Sequence, residues 1–224
     1  RTLSLLRAVR EELCALHGTG DYFHIGCDEA YRFSYTDENV ARISSFINET
    51  AAELRAAGRK TILWGDMLLS HHPEYNPRNV YTTAAPDAAG EERMMRALSH
   101  DLIIADWQYD VREAPVETAL ALQKAGFSTL LCPWDRRAAC TDACVRTVRE
   151  HHLDGILHTT WHTLRSGMAY VGRVAAQCWA PDGAAAGEGT GDVLRTAALL
   201  RRAFPPENYA QAGWAEKEVE ADIR

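Results

Sequence analysis

What this chain lacks narrows its class before any motif is read. No stretch approaches the roughly 18 consecutive apolar residues of a membrane-spanning helix. No Lys/Arg run offers a track for nucleic acid or an anionic membrane, and a formal charge of -7 over 224 residues works against both. The expected partner is a neutral or weakly charged ligand, with no nucleic acid and no membrane. The basic-then-apolar pattern of a secretory leader is missing at the N-terminus. The cysteines, Cys14, Cys27, Cys132, Cys140, Cys144 and Cys178, include no CxxC pair. They read as reduced core thiols, which points to a cytoplasmic setting. Cys140 and Cys144 lie one helical turn apart, but no His or Cys partner has matching spacing, so neither a metal nor another cofactor is expected. The chain opens at Arg1 directly on a helical pattern, which suggests that a segment lies upstream.

A hydrophobic content of 46% supports one sizeable core. Residues 2 to 17 place Leu6, Val9, Leu13 and Leu16 on one helical stripe, and Gly18 and Gly20 stop it before Tyr22-Phe23-His24-Ile25. Thr36 is an N-cap candidate for a helix carrying Val40, Ile43, Ile47, Ala51 and Leu54, which ends near Gly58 before Thr61-Ile62-Leu63-Trp64. Helical stretches around Glu91 to Leu98, Val116 to Lys124 and Ala138 to His152 then alternate with Leu102 to Trp107, Ser128 to Trp134 and Gly155 to Trp161. Five nearly continuous apolar strands alternating with helices predict a parallel α/β sheet with both faces covered by protein. Ala180 to Gly191 reads as a loop before a last helix from Val193 to Ala203. Its Gly187-Glu188-Gly189-Thr190-Gly191 follows no strand and is not read as a dinucleotide loop.

Each strand ends in polar or aromatic residues: Asp28-Glu29 after His24, Trp64 with Asp66, Trp107 with Tyr109, Trp134 with Asp135, and Trp161 with His162. In a parallel barrel these ends share one face, where aromatic walls and a few carboxylates suit a sugar ring. The alternatives are that each indole merely packs beneath a helix and that Asp28-Glu29 caps one.

His24-Ile25-Gly26-Cys27-Asp28-Glu29 resembles the strand-four motif of glycoside hydrolase family 20, the β-N-acetylhexosaminidases, and its Cys form is especially similar to the hexosaminidase D branch. Leu63-Trp64-Gly65-Asp66-Met67 resembles that branch's Trp-Asp-Asp-Met, and Trp107-Gln108-Tyr109 its Trp-x-Tyr. Gly155-Ile156-Leu157 leading to Trp161 is a further match. The resemblance implies a TIM (β/α)8-type barrel to which this chain supplies about strands four to eight. Residues 1-180 would form the partial catalytic barrel and 181-224 a loop and C-terminal helices packing on it. The missing strands would come from an upstream segment or an oligomer partner. It implies an N-acetylhexosamine-containing glycan as substrate and a substrate-assisted retaining hydrolysis. Glu29 would be general acid and base, Asp28 would orient the acetamide, and Tyr109 would hydrogen-bond its carbonyl. Trp64, Trp107, Trp134 and Trp161 with Asp66, His24 and His162 would bind the sugar.

Many family members carry Trp-x-Glu at the last strand, where this chain has Trp161-His162-Thr163. The preference between gluco and galacto epimers therefore stays open, with His162 either a hydroxyl partner or a helix cap. Two other readings remain: a carbohydrate-binding barrel fragment without turnover, and a doubly wound α/β domain in which the tryptophans only pack.

Overall fold

The computed structural model describes residues 2–78, 80–134, 138–161, 164–179 and 190–203. Along them run α1 (Thr2–His17), β1 (Tyr22–His24), α2 (Asp37–Ala56), β2 (Lys60–Trp64), a single 3₁₀ turn (Asp66–Leu68), α3 (Ala88–Ala97), β3 (Ile103–Trp107), α4 (Glu117–Lys124), β4 (Ser128–Cys132), α5 (Ala138–His151), β5 (Gly155–Ile156), α6 (Leu164–Trp179) and α7 (Thr190–Ala203). The strands form one sheet in chain order, β1-β2-β3-β4-β5, and every pairing is parallel. This is the α/β alternation that the apolar runs predict.

Strand alternation sends neighbouring side chains to opposite faces. Leu63 and Ile104 join Val40, Ile47 and Ala51 of α2, Met94 of α3 and Leu122 of α4 in one core cluster. Leu131 joins Ala119 of α4 with Cys140, Ala143 and Cys144 of α5 in a second. The helices between strands therefore cover one face. The other face carries Ile62, Ile103, Ala105 and Cys132, with Trp64, Trp107, Leu130 and Leu157 against them, and no described helix contributes to that cluster, so among the described residues the helices cover one face and not the two that the apolar runs predict. Here a cavity of about 810 Å³ runs along the strand starts, over a floor of Ile62, Ile103, Leu130 and Leu157.

The caps follow the local chemistry. The Thr36 hydroxyl accepts the Asn39 N–H at 3.3 Å at the start of α2, and the Asp87 carboxylate accepts the Gly90 N–H at 2.7 Å at the start of α3. Because α2 begins only at Asp37, Asp28 and Glu29 cap no helix; they stand in the loop between β1 and α2.

Two elements depart from expectation. The stripe on α1 forms as a helix, yet none of its residues is buried, and Leu16 is 76% exposed. Polar contacts hold α1 instead: Arg7 and Arg10 pair with Glu53 of α2, and the buried Arg59 guanidinium donates to the carbonyls of Cys14 and Gly18 at 2.8 and 2.6 Å. Periodicity fixes a helix, but burial needs a partner surface, and none of the described residues supplies it. The helix α6 is absent from the sequence expectation because Gly167 and Gly172 lower its intrinsic propensity; packing against α7 compensates. The last helix starts at Thr190 rather than Val193, and residues 180–189 lie outside the described residues. No described helix is long and apolar enough to cross a membrane.

Candidate active site

The site grows from the exit of β1. The ladder continues past His24, with Ile25 N–H donating to the Ile62 carbonyl at 2.9 Å and Trp64 N–H to the Gly26 carbonyl at 3.0 Å. The chain then turns through three left-handed residues in four: Gly26 (φ 75°), Cys27 (φ 72°) and Glu29 (φ 53°). Glycine takes this conformation at little cost, but Cys and Glu are strained by it, roughly 1–3 kcal/mol each. Such strain persists only where surrounding contacts impose it.

Asp66 supplies the main contact. Its carboxylate accepts the Glu29 backbone N–H on Oδ2 at 2.8 Å and the Trp107 indole N–H on Oδ1 at 3.2 Å, tying the exits of β1, β2 and β3 together. It reaches them because Gly65 runs flush against β3, where a Cβ would stand 2.9 Å from Ile104 Cγ2. Asp66 is only 2% exposed. Burial pushes its carboxyl above the usual range, against the pull of the two donors. Its role is thus to hold the site together, with both oxygens occupied, rather than to present a free carboxylate.

The aromatic residues meet through Tyr109. Its ring lies 5.2 Å from Trp107 and 5.6 Å from Trp134, and its phenol oxygen accepts from the Trp161 indole N–H. The Thr159 hydroxyl gives its one proton to the Pro133 carbonyl at 2.9 Å, so at 3.4 Å the Tyr109 phenol donates to Thr159 Oγ1. Burial pushes this phenol up to about 12, so it stays a neutral donor. Trp161, itself in a left-handed conformation (φ 38°), packs on Trp64 at 5.6 Å, and Trp64 on His24 at 4.4 Å.

His24 Nδ1 accepts the Gly26 N–H at 3.0 Å, which leaves the proton of the neutral ring on Nε2, a buried atom with no hydrogen-bond partner among the described residues. Burial lowers the His24 pKa despite the nearby Asp28. Cys27 donates weakly to the Ile25 carbonyl at 3.7 Å; burial, reinforced by Asp28 and Asp66, pushes its thiol up to about 11, which makes it a poor nucleophile. Asp28 is half-buried, and Glu29 lies at the exposed rim. Of the residues expected from the sequence, Glu29, Asp66, Trp107, Tyr109, Trp134, Trp161, Trp64 and His24 are joined by direct contacts. Asp28 sits within the same strained turn, and His162 lies outside the described residues, as does Asp135.

Three contributors escape the sequence reading: Tyr31, whose phenol donates to Glu29 Oε1 at 3.0 Å, and the pair Asp106 and Gln108 that flank Trp107. Asp106 is fully buried on the helix side of β3, where it accepts the Thr118 hydroxyl at 2.6 Å and the Gln108 amide at 2.7 Å. Gln108 in turn receives the Thr82 N–H at 2.7 Å, pinning the loop before α3 beside the site. A carboxylate inside an apolar strand, followed two residues later by an amide, is the signal that would have found them.

Burial raises the Asp106 carboxyl from its ordinary 3.8 to about 6. The folded state thus favours the protonated form. The stability this contributes is complete below pH 3.8 and is lost as pH rises through about 6. The shift corresponds to about 3 kcal/mol. Asp106→Asn, which cannot ionise, is therefore expected to gain about 3 kcal/mol of stability relative to the parent between about pH 4 and about pH 7, read as denaturation midpoints at the two pH values. Parallel pH curves for the two proteins would show that the Asp106 carboxyl titrates alike in the folded and unfolded chains.

As a chemical arrangement, the loop offers a carboxylate at the rim, a second carboxylate one residue before it, a neutral phenol donor and four indoles. No protein-family model and no curated protein matches this chain.

Proposed function

We propose that the chain is the strand-four to strand-eight part of a TIM-type (β/α)8 barrel of glycoside hydrolase family 20, removing terminal β-linked N-acetylhexosamine from glycans. The observation that carries this reading is the run of contacts from the Glu29 backbone N–H through Asp66 and Trp107 to Tyr109, Trp161 and Trp64, with the Glu29 carboxylate at its exposed rim. Packing residues in a doubly wound domain have no reason to gather at the exits of successive strands. The singly covered sheet with its strands in chain order also supports a barrel segment, whose remaining strands an upstream segment or a second copy would supply.

In the proposed reaction Glu29 gives its proton to the glycosidic oxygen as the bond from that oxygen to C1 breaks and the aglycone leaves as an alcohol. The substrate's acetamido oxygen bonds to C1 from the other side, forming an oxazolinium ion. Asp28 offsets the charge that develops on the acetamide nitrogen, and the Tyr109 O–H turns from Thr159 Oγ1 to donate to its carbonyl oxygen. Water then attacks C1, Glu29 takes its proton, the ring opens, and the anomeric configuration is retained. Trp64, Trp107, Trp134 and Trp161 wall the sugar, and no cofactor enters any step.

The test is hydrolysis of an aryl β-N-acetylhexosaminide, with NMR of the first-formed anomer, and inhibition by an N-acetylglucosamine-derived thiazoline, which imitates the five-membered ring. Retention with competitive inhibition is expected. Inversion, or turnover indifferent to the thiazoline, would overturn the mechanism. One observation favours a second reading, a carbohydrate-binding fragment without turnover: β1 and β5 are sheet edges, and the apolar trough over Ile62, Ile103 and Leu130 is open. Thiazoline binding without hydrolysis, reversed when the remaining strands are supplied, would identify it.

A further inference from the structure

We propose that Tyr31 is a positioning residue for the Glu29 carboxylate, holding Oε1 through its phenol so that Oε2 is the oxygen that exchanges a proton with substrate and water. The inference rests on the reading of Glu29 as the proton-transfer group. It begins in the turn: Tyr31 N–H donates to the Glu29 carbonyl at 2.8 Å and Phe33 N–H to the Ala30 carbonyl at 2.7 Å, which folds the chain back over itself within five residues. That fold carries the phenol to 3.0 Å from Glu29 Oε1. Asp66 holds the Glu29 backbone N–H from the other side at 2.8 Å, so the acid is fixed at its main chain and at one oxygen.

Tyr31 is 65% exposed, so packing does not demand a phenol here; the hydroxyl's contact with Glu29 does. Partial burial and that hydrogen bond raise the phenol's pKa, which keeps it protonated and therefore a donor. A neutral donor on Oε1 disfavours a proton there. In the first step the proton leaves Oε2 for the glycosidic oxygen and Glu29 becomes a carboxylate. In the second, water's proton returns to Oε2 as its oxygen bonds to C1. Tyr31 keeps its own proton throughout.

The experiment compares Tyr31→Phe and Glu29→Gln with the parent on two N-acetylhexosaminides. One has a phenyl leaving group, which needs protonation, and the other a dinitrophenyl group, which does not. Thermal midpoints confirm that each variant is folded. Tyr31→Phe is expected to lose about tenfold in kcat/KM on the phenyl substrate and less than about twofold on the dinitrophenyl one, with thiazoline affinity unchanged. An equal loss on both substrates, or no loss on the phenyl one, while Glu29→Gln remains selective for the phenyl substrate, overturns the role of Tyr31 alone. If Glu29→Gln shows no leaving-group dependence either, the assignment of Glu29 falls with it.

Discussion

Glu29→Gln is expected to lower kcat/KM on a phenyl N-acetylhexosaminide by about 100- to 10,000-fold, while leaving a dinitrophenyl substrate far less affected. The substitution keeps the shape of the side chain and its hydrogen bond from Tyr31, and it leaves the backbone N–H on Asp66, so the strained turn survives and only the transferable proton is lost. Asp28→Asn is expected to behave differently. The acetamide must close on C1 whatever the leaving group, so both substrates should slow by a similar factor, about 100-fold or more, the usual cost of removing a group aimed at developing charge. The pair of leaving-group profiles separates the two carboxylates even though they are adjacent in the chain. Full activity of Glu29→Gln on the phenyl substrate would end the assignment.

The period of two that marks a strand already places the indoles. Trp64 lies two residues beyond Ile62 and Trp107 two beyond Ala105, on the face that no described helix covers, and Trp134 lies two beyond Cys132. What the period cannot supply is their relative height. The register pairs Trp64 with Ala105 and Trp107 with Cys132, and an isolated bridge pairs Trp134 with Thr159, so each indole stands two residues beyond the partner of the one before. The indoles thus step along the sheet, yet Trp161 closes back onto Trp64 at 5.6 Å, and Tyr109 is the residue that reaches Trp107, Trp134 and Trp161 together. No spacing rule gives that result, because register is a property of pairs of strands.

The bounds of α2 were legible because the Thr36 cap and Gly58 after the helix act locally, whereas α6, with no such signal, was missed. The fate of α1 was not legible, since an apolar stripe says that a surface seeks cover and not whether cover is present. Asp106 and Tyr31 were hidden for opposite reasons. One is a charge inside an apolar run, easily taken for the polar end of the strand; the other is an exposed aromatic whose value lies in a turn that only the folded loop defines.

Asp66 is where fold and chemistry depend most on one side chain, and its removal tests both. In Asp66→Ala the Glu29 backbone N–H and the Trp107 indole N–H lose their acceptor together. A fully buried donor without a partner costs about 1–3 kcal/mol; both donors here are part-buried and water can reach them, so a combined stability loss of about 1–3 kcal/mol is expected in denaturant titrations. The larger consequence is geometric. Glu29 keeps its left-handed φ of 53° only while something holds it, and release lets the carboxylate drift from the position proposed for proton transfer. Misplacement of a reacting group by about 1 Å costs about 100-fold, which sets the expected fall in kcat/KM. Asp66→Asn retains one acceptor and turns an amide toward the other donor, so it should fall between the parent and the alanine variant on both measures. Trp107 supplies an independent readout, because loss of its indole acceptor alters the emission of a residue in the proposed sugar wall. A variant that is destabilised but keeps its rate and its emission would make Asp66 a strut of the fold alone, and Glu29 would then owe its position to the turn and to Tyr31.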